Sequence, residues 1–345
     1  MSGPSQIVSI SNSTASVSVD RHSGAIVDFH LHEGGINPLT FKREESNFQG
    51  HFLCLGRWGP PSDGEKAAGI ITHGEAVIQI WDRQPSTPKN ELRMAATAPL
   101  EGLHVDRLLA LDKENAVFGV TENVTNINPL GRLFNMVQHP TLGAPFLTND
   151  TVVNCNADKG FNYMLNTNPL EFAAKWPFGI VEDGDRKDCI ILSKLDKPYS
   201  SVFSFTIKKD AKFGWITAYN PKDNLLIGYL WNREDYPWIS LWQDFDERGG
   251  IRYRGLEFGT TGMHKSYKEI IEEGNHRVFG EDSYKYIDAG ETQSRSYLAF
   301  MSETPTDFTE AIDVSFDKKA IIISDTATGK QITIQTTLKA NGISK

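Results

Sequence analysis

Alternation of apolar and polar residues with a period of two runs through almost the whole chain, and no other feature narrows its fold so far. QIVSISN, ASVSVD, AIVDFHLH, AVIQIWD, RLLALD, AVFGVTENVTNI, DCIILSKL, SVFSFTIKK, FGWITAY, LLIGYLWN, SRSYLAFMS, AIIISD and QITIQTTL all carry it. Each sets β-branched or aromatic side chains on one side of an extended segment, as half-buried strands do. Turn signals such as RHSG, HEGGINP, NPLG, EDGD, NPKDN and DERGG separate them. A helical period is confined to one or two short stretches, chiefly HKSYKEIIEEG, which closes on a glycine suited to end a helix. There is no fixed-period repeat and no Pro/Gly/Ser-rich seam. The expectation is therefore an all-β chain, a large antiparallel sandwich with one or two short helices, forming one domain over residues 1–345. Two smaller sandwiches in tandem are the alternative. The closing AIIISDTATGKQITIQTTL reads as a hairpin that completes the sheets.

A formal charge of −9, with basic residues scattered rather than striped, argues against nucleic acid or an anionic membrane as the main partner. No apolar run approaches the ~18 residues needed to span a bilayer. The N-terminal MSGPSQIVSISNST lacks a basic and an apolar region of the secretory kind. As it stands the sequence suits the cytoplasm, or the periplasm or exterior if a signal has been removed. Cys54, Cys155 and Cys189 are an odd set without metal-ligand spacing, so they read as buried reduced thiols.

Four polar clusters fall at strand ends or turns. LGRWGPPSDG places Arg57 in a Gly/Pro loop. IITHGEAVIQIW offers His73 before a glycine. QHPTLG follows the apolar run LFNMV and ends a strand at His139, whose backbone Pro140 restricts to extended conformations. The fourth, ISLWQDFDERGGIRYRGLEFGTTG, puts Glu257 between Leu256 and Phe258. Each has an ordinary alternative. Arg57 could hold its loop by an ion pair, His73 could serve a turn, and Glu257 could neutralise Arg252 or Arg254. Together, two histidines, an arginine and a half-buried carboxylate are the groups that proton transfer on a small polar substrate requires.

The order of these pieces resembles the aldose 1-epimerases, the galactose mutarotase-like family, which fold as one large β-supersandwich. The family's G-R, H-G, H-P and late glutamate after a Trp-containing strand correspond here to Gly56-Arg57, His73-Gly74, His139-Pro140 and Leu241-Trp242 followed by Glu257. The resemblance implies a small-molecule sugar as partner and interconversion of its anomers by acid–base ring opening. It implies Glu257 as base toward O1, His139 as acid toward the ring oxygen, and His73 and Arg57 on hydroxyls. It implies neither metal nor organic cofactor. A carbohydrate-binding protein without turnover is the second reading, and a sugar lyase or hydrolase the third, with Tyr253 as the lyase's one candidate base.

The chain also departs from the pattern. No asparagine stands upstream in GIITHGEA, and the family's substrate-binding aspartate has only the candidates Asp183, Asp185, Asp188 and Asp244. Thr141-Leu142-Gly143 stands where an aromatic usually follows the histidine. Two further features stand apart from it. His30 and His32 share one strand face, the spacing of a metal pair without an evident third ligand. Trp231, Trp238 and Trp242 could form a stacking wall, with Trp242 the one assigned to substrate.

Overall fold

The computed structural model describes residues 6–43, 46–85, 88–165, 168–171, 173–183, 186–195, 197–325 and 328–339. The alternating segments form two large antiparallel sheets. The eleven-stranded sheet runs in the order Ile7–Ser11, Ala15–Asp20, Ile26–Leu31, His51–Leu55, Met136–Leu142, Ile251–Gly255, Trp238–Phe245, Ser201–Ile207, Ala157–Asn162 and Ala174–Lys175. The short Glu257–Gly259 strand joins it between Met136–Leu142 and Trp238–Phe245. The eight-stranded sheet is centred on Leu225–Asn232, Thr292–Glu303, Val117–Asn126 and Leu103–Leu111. Their facing sides share one core: Leu53, Leu55, Met136, Ile239, Leu241 and Phe258 from the first pack with Phe118, Val120, Ile227, Tyr229, Tyr297 and Met301 from the second.

The run SRSYLAFMS, expected to be a half-buried strand, is buried on both faces. Tyr297, Ala299 and Met301 enter the inter-sheet core. Leu298 and Phe300 point the other way, with Trp215, Tyr219, Leu226 and Leu230. That outer face is covered by a separate three-stranded sheet, Ala311–Asp317, Ala320–Asp325 and Gln331–Gln335, through Val314, Ile321, Ile323 and Ile334. The closing hairpin thus forms, but it makes a third layer instead of extending either large sheet.

Local chemistry explains the other departures. AVIQIWD is not a strand: Glu75–Ile78 is a 3-10 turn. His73 and Gly74 before it both have positive φ, 66° and 79°, which breaks the extended geometry. A Cβ on Gly74 would fall 1.9 Å from the Leu55 carbonyl oxygen, so only glycine fits. The expected helix is Tyr267–Glu272, started by a reciprocal cap between Ser266 and Glu269 and followed by Gly274 at φ 72°. A second helix, Asp63–Ala67, has the same cap from Ser62 and Glu65, a signal present in PPSDGEKA.

Charge is buried between the large sheets. Arg107 and Glu122 are opposite one another in register and bond at 2.7 Å. The other Glu122 oxygen accepts from Gln138 Nε2 at 2.6 Å. The same Gln138 nitrogen contacts the Tyr236 hydroxyl at 3.1 Å, and Gln138 Oε1 is 3.1 Å from His51 Nε2. Arg107 also donates to the Gly24 carbonyl and lies over the Trp81 ring. Removing one member of such a pair strands the other charge in an apolar medium, at a cost of about 3–5 kcal/mol. Glu122→Leu is therefore expected to lower unfolding stability by that amount in urea titration, and the double change Arg107→Met/Glu122→Leu to recover much of it. A single variant as stable as the parent would show that the pair is not what fixes this strand.

Candidate active site

The outer face of the eleven-stranded sheet carries the site, and period two decides which residues reach it. In Met136–Leu142, Met136, Gln138 and Leu142 go inward, while Val137, His139 and Thr141 take the opposite face. Val137 pairs with Gly259 and Gln138 with Phe258, so the register continues to set His139 opposite Glu257. On the other flank His139 pairs with Phe52, and the two rings stack at 4.2 Å. Pro140 is not a strand end: the strand continues to Leu142, and the Pro140 carbonyl accepts from Leu256 N at 2.8 Å.

His139 and Glu257 line a cavity of about 380 Å³ with Phe41, Arg43, Phe48, Phe52, Trp58, Thr72, His73, Val202, Trp242 and His264, a volume within the usual range of small-molecule sites. Of the residues expected from sequence, His73, His139, Trp242 and Glu257 therefore meet in one pocket. His139 Nε2 is 3.2 Å from Glu257 Oε1, both groups buried. The alternative partners of Glu257 are engaged elsewhere: Arg252 with Asp244, and Arg254 with Gln243 and the Leu192 carbonyl. His73 Nδ1 accepts from Gly59 N at 3.4 Å, so its neutral ring carries the proton on Nε2. Trp242 forms a wall with Phe41, ring centres 5.5 Å apart. Trp231 is instead stacked on Phe258 in the core, and the Trp238 indole donates to the Asp282 carbonyl.

Arg57 does not reach the cavity. Its guanidinium is held by Glu101 at 2.7 Å and Glu65 at 3.0 Å, which satisfies its charge beneath the loop; its neighbour Trp58 supplies the lining. Glu257 is the one carboxylate in the described lining. Asp244 is paired with Arg252 and Asp188 with Lys197, neither lines the cavity, and Asp185 lies outside the described residues. Tyr253 packs on Phe41 and Trp242 but does not line the cavity either. His30 Nδ1 is taken by Asp28 and His32 Nε2 by Ser16. Among the described residues no three His, Cys, Asp or Glu side chains are grouped as metal ligands; Cys54 and Cys155 are buried thiols as expected, but Cys189, on the short Arg186–Ile191 strand, is exposed.

Sequence reading missed His264, Phe52 and Arg43, and singled out Trp58 only as the neighbour of Arg57 in the LGRWGPPSDG loop. His264 packs edge-on against Trp58 and Tyr163 and lies 5.2 Å from the His73 ring. The only signal was its place seven residues after Glu257 in the glycine–threonine turn.

Compared by structure, the chain is similar to a galactose mutarotase-like protein from Clostridium acetobutylicum, with a TM-score of 0.62 and 13% identity over 86% of this chain and 95% of that one. A galactose mutarotase related enzyme from Lactobacillus acidophilus gives 0.61 and 11% over 86% and 98%. A galactose mutarotase-like protein from Lactobacillus casei gives 0.59 and 11% over 86% and 100%. The chain has the galactose mutarotase-like fold. No protein-family model and no curated protein matches it. In this mutarotase-like fold the cavity lies on one large sheet, so its floor is as rigid as the strand ladder that carries it.

The carboxyl and the imidazoles of the pocket are held neutral. Burial pushes the Glu257 carboxyl well above the usual carboxylate range, with the Trp58 indole N–H opposing this. That indole is near the carboxyl, yet neither Trp58 Nε1 nor Glu257 Oε2 has a well-formed hydrogen bond, which marks both as groups with unused capacity. Burial lowers His139 to about 3 and His264 to about 4, and holds His73 well below its ordinary value, aided by neighbouring His264, His139 and Arg43. Beneath the sheet, burial and the Arg107 charge lower His51 to about 3.

An unfolded histidine titrates near 6.5. Lowered folded values mean that the unfolded chain takes up protons the folded chain refuses. Stability is then full above about pH 6.5 and falls as pH drops toward 4, by roughly 1 kcal/mol per histidine per pH unit. Glu257 has the opposite sign and offsets one of the four. The urea midpoint is expected to be clearly lower at pH 5 than at pH 7.5, with His264→Gln narrowing the gap. Equal midpoints at the two pH values would mean that these rings are not neutral in the fold.

Proposed function

We propose that the pocket takes a free sugar in its ring form and exchanges its anomers by acid–base ring opening. The observation that carries this is the contact between a buried acid–base pair, Glu257 and His139, facing one aromatic-walled cavity. Anomer exchange needs a proton removed from the O1 hydroxyl and one delivered to the ring oxygen. Both oxygens are bonded to C1, so two adjacent groups are better placed than two groups on opposite walls. The C1–O5 bond then opens to an aldehyde, C1–C2 rotates, and the transfers reverse. His73, with its proton on Nε2, donates to a hydroxyl, and Trp242 covers an apolar face of the ring. These steps call on side chains alone.

Sugar binding without turnover is the second reading, favoured by one observation: Arg57 is engaged by carboxylates and leaves a hydroxyl-orienting role unfilled. The Glu257→Gln variant separates the two. It preserves shape but cannot exchange a proton at neutral pH, and acid–base catalysis contributes about 10²–10⁴ in rate. With a responsive sugar from a panel of hexoses, pentoses and uronic acids, anomeric proton NMR is expected to show exchange above the buffer rate for the parent and a loss of that order in the variant. Calorimetric affinity should change far less. No acceleration with any sugar, alongside measurable binding, would favour the second reading.

A further inference from the structure

One residue of the site is explained by neither the fold nor the resemblance. Thr141 is fully buried, two positions along the strand from His139 and on the same face. Its hydroxyl oxygen lies 2.9 Å from His139 Nδ1 and 3.4 Å from the His139 carbonyl oxygen. A hydroxyl has one proton to give, and a carbonyl can only accept. If the proton goes to the carbonyl, Nδ1–H must donate to Oγ1. The neutral ring then presents a bare Nε2 to Glu257 Oε1, 3.2 Å away, so Oε1 carries the proton. This order makes a continuous chain in which every hydrogen has an acceptor: Glu257 Oε1–H to Nε2, Nδ1–H to Thr141 Oγ1, and Oγ1–H to the carbonyl.

The reverse order fares worse. With the hydroxyl donating to Nδ1, the ring proton sits on Nε2 and points at Glu257. The carboxyl is then either an anion answered only by the ring N–H and the nearby Trp58 indole, with no Lys or Arg among the described residues paired with it, or an acid whose proton sits on Oε2, which has no well-formed hydrogen bond. Burial acts in the same direction, holding the carboxyl protonated and the ring neutral.

We propose that Thr141 is the positioning residue of this pocket, holding His139 in the Nδ1–H tautomer so that Glu257 is the resting acid and His139 the resting base. The roles are opposite to those the resemblance implies. The inference rests on the anomer-exchange reading for its substrate. Glu257 Oε1–H gives its proton to the ring oxygen as C1–O5 breaks and that electron pair stays on the oxygen. The O1 hydroxyl proton passes to His139 Nε2, and the freed pair closes the C1=O1 double bond. A carboxylate and an imidazolium remain beside the open-chain aldehyde until ring closure returns both protons. Nδ1–H faces Thr141 Oγ1 in both states, so the hydroxyl need not reorient during the reaction.

Nitrogen NMR of protein labelled with ¹⁵N-histidine tests this, because the Nδ1–H, Nε2–H and doubly protonated forms give distinct shift pairs. The His139 signals are assigned by their loss in His139→Gln. The parent at pH 7 is expected to show a protonated Nδ1 and a bare Nε2. Thr141→Val, which keeps the shape, should lose that preference, and Thr141→Ser should restore it. Where a sugar is turned over, the valine variant should lose roughly tenfold or more in kcat with KM little changed, and serine should regain most of it. A parent spectrum of the Nε2–H or doubly protonated type overturns the proposal whether or not any variant folds, as does a valine variant with the parent's spectrum. Absence of turnover with every sugar overturns the anomer-exchange reading, while the spectrum still decides the tautomer.

Discussion

A charged pair in the apolar space between two sheets requires every lone pair to be answered, and the groups that answer Glu122 fix the strand beneath the pocket. Arg107 takes one carboxylate oxygen and Gln138 the other. Gln138 in turn uses its carbonyl oxygen on His51. His51 and Gln138 are on neighbouring strands of the eleven-stranded sheet, whereas Arg107, Glu122 and Tyr297 come from the eight-stranded one. The chain of bonds therefore pins the two layers in register. A slip of one residue in Met136–Leu142 would expose Gln138 to the pocket, bury His139 among the core side chains and leave Glu122 short of a donor. The inward face thus protects the outward one. His139 reaches its cavity because Gln138 cannot leave the core.

The same period of two accounts for how much could be read from the sequence. Alternation marked nearly all the long strands, and residue types at turns marked where they end. It also set His139 at the end of an apolar run, Glu257 between two apolar residues, and His73 beside a glycine. What it could not supply was register between strands far apart in the chain. Sequence offers no sign that residue 139 lies opposite 257, since that pairing depends on Gly259 and Phe258 meeting Val137 and Gln138. Arg57 shows the same limit in reverse: its partner Glu101 is distant in sequence and outweighs the glycine-rich loop that suggested a ligand role. The third layer was hidden because SYLAFM reads the same whether the second cover is a helix, a sheet or another chain. His264 was missed because a lone histidine in a turn has no pattern of its own.

Energetically, the pocket differs from the core below it. In the core Arg107 and Glu122 pair, and each Glu122 oxygen has a donor. The pocket keeps groups that can ionise in their neutral forms and leaves hydrogen-bonding capacity unused at Glu257 Oε2 and Trp58 Nε1. Unfilled capacity at a buried carboxyl costs stability, on the order of 1–3 kcal/mol per group. Its aromatic walls, Phe41, Phe52 and Trp242, are already packed on one another, so they provide a preformed surface with little side-chain entropy left to lose. A polar ligand with a flat apolar face would satisfy both features at once.

A neutral resting pair also explains why acid and base stand in contact. Under the proposed exchange reaction, proton transfer through a substrate would convert Glu257 and His139 into a carboxylate and an imidazolium. Separated in an apolar pocket, two such charges would be prohibitively costly. At 3.2 Å they attract by about 5 kcal/mol even at an effective dielectric constant of 20. That attraction is absent before the transfer and present after it, so it lowers the charge-separated state relative to the neutral one. A carboxylate already paired with an imidazolium at rest would have this stabilisation in the ground state, where it slows the reaction instead of helping it. The phenyl ring of Phe52 stacked on His139 keeps water from one face of the imidazole, which preserves the low dielectric that makes the attraction matter. Contact, burial and neutrality are therefore linked: with the pair farther apart the charge-separated state is too costly, and with the pair hydrated the attraction that lowers it would be screened.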